Sequence, residues 1–178
     1  MGTPPLTDVT RLRIAAVLVV VLVLQTSLLV RLRVHDVHPE ALLVLALGAG
    51  LVAGPERGAV VGFFAGLVAD LFLETPFGLS ALTYCLVAFA MGSISSSVMR
   101  STWWMSPLTV LAGSALGVSL FVLVGLLFGQ AQLTHDHPAA VVAVVSLTNA
   151  ALALPLMPLV RWALARPGPE HGYTKTPR

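Results

Sequence analysis

Gly58, Gly62 and Gly66 recur at every fourth position of an apolar run, and Asp70 takes the next place in the series. In a helix such steps drift by only about 40° each, so the four residues stay on one broad face. A face without side chains lets a second helix approach to backbone contact, the kind of packing that small residues support in membranes. The acid that continues this face lies about a turn from the end of its helix.

The remainder of the chain offers no aqueous alternative. With 57% hydrophobic and 10% charged side chains and a mean hydropathy of +0.91, its 178 residues cannot coat a soluble globule. The expectation is an all-helical, polytopic membrane protein forming one domain. Six apolar segments can be drawn, over 14–30, 39–53, 58–73, 77–95, 107–129 and 139–163. Residues 1–13 then form a cytoplasmic N-terminal segment, 14–165 a six-helix transmembrane domain and 166–178 a cytoplasmic polar tail. The second and third segments are short against a hydrocarbon core of ~30 Å. Merging them would bury Glu56 and Arg57 at mid-membrane, at roughly 2.5–3.5 kcal/mol per charge. Gly54, Pro55, Glu56 and Arg57 are therefore read as a cytoplasmic turn in a tight helical hairpin.

With six spans, Arg11, Arg13, Arg57, Arg100, Arg161, Arg166, Lys175 and Arg178 share one side, against Arg31 and Arg33 on the other. Asp36, Glu40, Asp70, Glu74 and Asp136 accompany the minority. The bias puts both termini in the cytoplasm, and Trp103, Trp104 and Trp162 fall at helix ends on that side, where indoles favour the headgroup layer. The formal charge of +2 thus reports topology and not nucleic-acid binding. Arg11 and Arg13 before an apolar run imitate a secretory leader, but the run continues to Val30 and meets Arg31 with no small-x-small cleavage site. An uncleaved first span is expected.

Several residues have chemical potential. Asp70 can bind a cation or proton, pair with a partner, cap the next turn, or reach the headgroup layer beside Glu74. In Glu74-Thr75-Pro76-Phe77-Gly78, Thr75 is expected to cap a helix with Pro76 at its first position. His135-Asp136-His137 are adjacent loop residues that cannot converge on one metal without outside help. Asn149, with Ser146 and Thr148, fits an interhelical hydrogen bond better than a substrate contact. Pro155 and Pro158 should kink the last helix or end it early. Cys85, the single cysteine, is a packing residue. All five histidines fall in expected loops or the tail, so a serine nucleophile and a base do not meet inside the membrane.

The hairpin and the residues after it resemble the rod shape-determining protein MreD family of bacterial inner-membrane proteins. The resemblance is carried by Pro39, the G-P-E-R-G turn at 54–58, the run G-F-F-A-G-L-V-A-D-L at 62–71 and P-F-G-L-S-A-L-T-Y at 76–84. It implies a non-enzymatic part of the cell-elongation machinery, without metal or cofactor, which docks the bitopic protein MreC. MreB, RodA and a penicillin-binding transpeptidase belong to the same implied complex, which controls lateral peptidoglycan synthesis. Membrane lipid and a second copy of the chain are further possible partners. On this reading Gly58, Gly62, Gly66, Asp70, Pro76, Gly78 and Tyr84 are packing and partner-docking positions. The family's fold looks similar to the substrate-binding subunits of energy-coupling-factor vitamin transporters, which supplies the alternative function. A lipid-metabolising enzyme is a third class, motivated only by the acids Asp70 and Glu74.

Overall fold

The computed structural model describes residues 8–27, 40–72, 76–98, 105–129 and 138–164. They form six helices: α1 (Asp8–Ser27), α2 (Ala41–Ala53), α3 (Pro55–Asp70), α4 (Leu79–Val98), α5 (Met105–Leu127) and α6 (Pro138–Leu164). Each covers one of the expected apolar segments, and the described residues are all-helical outside turns. In α1, α5 and α6 a helix is long and apolar enough to cross a membrane, whereas the apolar helices α2 and 79–94 of α4 are shorter. Residues 8–13, expected to precede the first helix, are its first turns.

α2 is the hub. Its sequence, ALLVLALGAGLVA, has no polar position that could mark a solvent side, and a helix apolar all round belongs in an interior. Every residue from Ala41 to Leu51 is buried, and α2 contacts each of the other five helices. At 13 residues it is only about 20 Å long, so it acts as a core element surrounded by longer helices.

The hairpin between α2 and α3 is tighter than the four-residue turn expected. Gly54 alone separates the helices. Its φ of 87° and ψ of 178° lie in a region essentially reserved for glycine, which reverses the chain in one residue. Pro55 then opens α3, where its missing N–H is no loss, and Glu56 and Arg57 are helical rather than part of a loop. Glu56 in the first turn complements the helix dipole.

The glycine series explains why α3 and α4 pack most extensively of all helix pairs. A Cβ on Gly62 would stand 2.6 Å from the Tyr84 carbonyl oxygen, and one on Gly66 would stand 2.5 Å from the Ala81 Cα. On Gly58 it would collide with the backbone of Gly50 in α2, and Gly50 itself faces the Ala88 carbonyl. Gly92 of α4 completes the set, since a Cβ there would stand 2.5 Å from the Pro55 Cα. Three helices thus meet backbone to backbone, with glycine at each crossing.

α6 does not end or break at Pro155 or Pro158; it runs continuously to Leu164. Each proline removes one intrahelical bond, a loss tolerated in membrane helices when neighbouring groups adjust. Near its end, Trp162 lies under the Arg13 guanidinium at 5.2 Å, a cation–π contact that sets the start of α1 beside the end of α6.

Candidate functional site

Helices that begin inside a packed apolar bundle leave backbone N–H groups that water cannot reach. The polar side chains of this protein converge on two such beginnings.

The first is the start of α4. Asp70, only 4% exposed at the end of α3, accepts hydrogen bonds from the backbone N–H of Gly78 at 2.9 Å, Ser80 at 3.0 Å and Ala81 at 3.2 Å. The remaining N–H, of Leu79, donates to the Pro76 carbonyl at 3.1 Å, and from Leu82 onward the helix bonds to itself. Every N–H from 78 to 82 therefore has an acceptor. The carboxyl oxygens also lie against the positive end of the helix dipole. This arrangement realises one of the roles open to Asp70, the cap of the next turn, with the side chain buried, and it corrects one expectation, since α4 begins at Leu79 rather than at Pro76. The cap comes from the preceding helix, while Thr75 and Glu74 lie outside the described residues. Gly78, with φ of 99°, supplies the left-handed step that turns three N–H groups toward one carboxylate.

The second is the start of α2. Leu42 N–H donates to Gln25 Oε1 of α1 at 3.1 Å, and Glu40 N–H donates to Asn149 Oδ1 of α6 at 2.9 Å. Asn149 Nδ2 donates in turn to Ser114 Oγ of α5 at 3.2 Å. From α4, Tyr84 Oη donates to Glu40 Oε2 at 3.2 Å. One short helix start is thereby tied to α1, α4, α5 and α6. Sequence reading singled out Asn149 and Tyr84 but missed Gln25, Glu40 and Ser114 as members of one network. An amide inside the first apolar run and an acid at the border of the second were the available signals.

Gly58, Gly62 and Gly66 are buried against α2 and α4, so their face is occupied within the chain and offers no vacant surface to a partner helix. Gly54, Pro55, Glu56 and Arg57 lie at the opposite end of α3 from Asp70. Pro39, His35, His38 and His135-Asp136-His137 lie outside the described residues, as do Trp103 and Trp104.

The architecture is that of a helical membrane protein whose buried polar groups hold helix starts in place. The chain belongs to the MreD family: the family model for rod shape-determining protein MreD matches residues 8–166. Membership gives it a role in rod shape determination as a structural membrane protein. Neither a curated protein nor a solved structure matches the chain.

Proposed function

We propose that this protein is a non-enzymatic scaffold of the cell-elongation complex, which docks MreC in the inner membrane and thereby helps control lateral peptidoglycan synthesis. All six helices cross or enter the bilayer, with both termini cytoplasmic as the arginine distribution requires. MreB, RodA and a penicillin-binding transpeptidase are partners in the larger complex.

One observation carries the scaffold reading over a chemical one. Asp70, the acid buried at the end of α3, is committed to three backbone N–H groups of α4. A carboxyl group whose oxygens are taken up by three backbone N–H groups holds a helix start in position. The test is reconstitution of the full chain with full-length MreC in nanodiscs. Stoichiometric co-elution supports the scaffold, whereas separate elution together with capture of a coupling subunit and its ATPases supports the vitamin-transporter alternative.

A further inference from the structure

The bundle sorts its charges by end. Among the described residues, Arg11 and Arg13 lie in the first turns of α1, Arg57 in the first turn of α3 and Arg161 in the last turn of α6. The opposite, outer end holds two described acids, Asp70 after α3 and Glu40 before α2, and no described cation. Asp70 is taken up by three backbone N–H groups. Glu40 is not.

Glu40 is half-buried, and although it directly precedes α2 its side chain makes no capping bond. Its Oε2 accepts the Tyr84 hydroxyl at 3.2 Å, while Oε1 has no hydrogen-bond partner among the described residues. Nor is Oε1 sealed in the bundle, since the enclosed unpaired side-chain atoms are Ser80 Oγ and Ser146 Oγ. The acid is held from two sides: its N–H is fixed on the wholly buried Asn149, and Tyr84 is 2% exposed. One open carboxyl oxygen is thus presented at a set place by groups locked into the core.

Depth and geometry restrict what meets it. The 13 residues of α2 rise about 20 Å from the turn at Gly54, so Glu40 lies about 10 Å short of the outer boundary of a ~30 Å hydrocarbon core. Ionisable side chains at such depth pair with one another or mark a functional site. A lipid ammonium lies outside the ester layer, whereas lysine carries its charge on a flexible four-carbon stem and can reach into the core from a neighbouring helix. A guanidinium fork uses both oxygens of a carboxylate, and Oε2 is already engaged; an ammonium is a point charge that needs one.

We propose that Glu40 Oε1 receives the ammonium of a lysine on the membrane-spanning segment of a partner protein. The inference rests on the scaffold reading above and gives it a polar contact point, at the outer start of α2 instead of on the occupied glycine face.

The test uses the full chain co-expressed with MreC and treated in native membranes with a membrane-permeant carbodiimide. The reagent joins a carboxyl group to an amine in contact with it, forming an amide and taking up the water lost, and the products are mapped by mass spectrometry. The chain has a single lysine, Lys175 in the tail, so its own amide is readily told from a partner's. The expected result is an amide between Glu40 and a lysine of MreC. Glu40→Gln keeps an oxygen for Tyr84, so the thermal midpoint of the isolated chain should hold, while co-elution of MreC falls about tenfold or more, as for a truncated desolvated charge pair. Co-elution of MreC without a Glu40 amide overturns the site and leaves the scaffold standing. Failure of MreC to co-elute with the parent chain overturns both. A Glu40 amide to Lys175 or to a lipid amine overturns the proposed occupant, and undiminished co-elution with Glu40→Gln assigns the acid to the fold alone.

Discussion

Asn149 joins the last helix to the start of the second: its Oδ1 accepts the Glu40 backbone N–H at 2.9 Å across 109 positions of sequence. The same amide donates to Ser114 Oγ on α5 at 3.2 Å, and it is wholly buried. Removing it leaves the Glu40 N–H and the buried Ser114 hydroxyl without these bonds. Asn149→Ala should therefore destabilise the bundle by about 1–3 kcal/mol, the penalty for a buried polar group left unpaired. Thermal unfolding in a fixed detergent measures this. An unchanged midpoint would show that Glu40 and Ser114 find other partners at no loss.

Asp70 should be the more sensitive position, because one side chain serves three N–H groups. Asp70→Ala is expected to lose about 3 kcal/mol or more, and Asp70→Asn to fall between it and the parent, since the amide keeps one accepting oxygen. Hydrogen exchange localises the effect. Amides of 78–81 should lose protection in Asp70→Ala before those of α2, and uniform loss along the chain would contradict a cap confined to α4.

The helices were legible because hydrocarbon runs and their interruptions are written directly in the side chains; each apolar segment became a helix. Capping the next turn was one of several roles legible for Asp70, and the sequence did not single it out, since its partners are backbone N–H groups at Gly78, Ser80 and Ala81, which have no letter of their own. The glycine series announced close contact but not with what. Only the fold shows that α2 and α4 fill it. α2 was opaque for a related reason: a uniformly apolar helix has no polar face, so nothing in its sequence says that it is surrounded. Gln25 and Glu40 gain their meaning from neighbours brought together by folding. Pro155 and Pro158 do not end α6 early, because neighbouring groups in a membrane bundle can make up for the backbone bond that each removes.

Two glycine substitutions should separate steric from conformational cost. A Cβ on Gly66 meets the Ala81 Cα at 2.5 Å, and backbone cannot yield as a side chain does. Gly66→Ala should therefore push α3 from α4 and destabilise by roughly 1–3 kcal/mol or more. At Gly54 nothing lies within 4 Å, but φ is 87°, so Gly54→Ala should cost about 1–3 kcal/mol through backbone strain alone. Spin labels at Phe63 and Phe89, in a background with Cys85→Ser, distinguish the two. Their separation should lengthen in Gly66→Ala and stay fixed in Gly54→Ala, and a fixed distance in both would mean that the helices absorb a methyl group without moving.

Ser80 gives a prediction of opposite sign. Its backbone N–H is bonded to Asp70 Oδ1 at 3.0 Å, but its side chain is wholly buried and its Oγ is unpaired among the described residues. Thr83, three positions on, bonds its hydroxyl to the Leu79 carbonyl at 2.9 Å and so carries no such penalty. Ser80→Ala keeps the backbone bond and the small volume required beside Gly66, and removes only the unpaired oxygen. Deleting an unsatisfied buried group should be neutral or stabilising, by up to about 1–2 kcal/mol, whereas Thr83→Ala should be neutral or slightly destabilising. Parallel unfolding of the two variants makes the comparison. A clear loss of stability in Ser80→Ala would show that its hydroxyl has a partner in the membrane, such as a trapped water between α3 and α4.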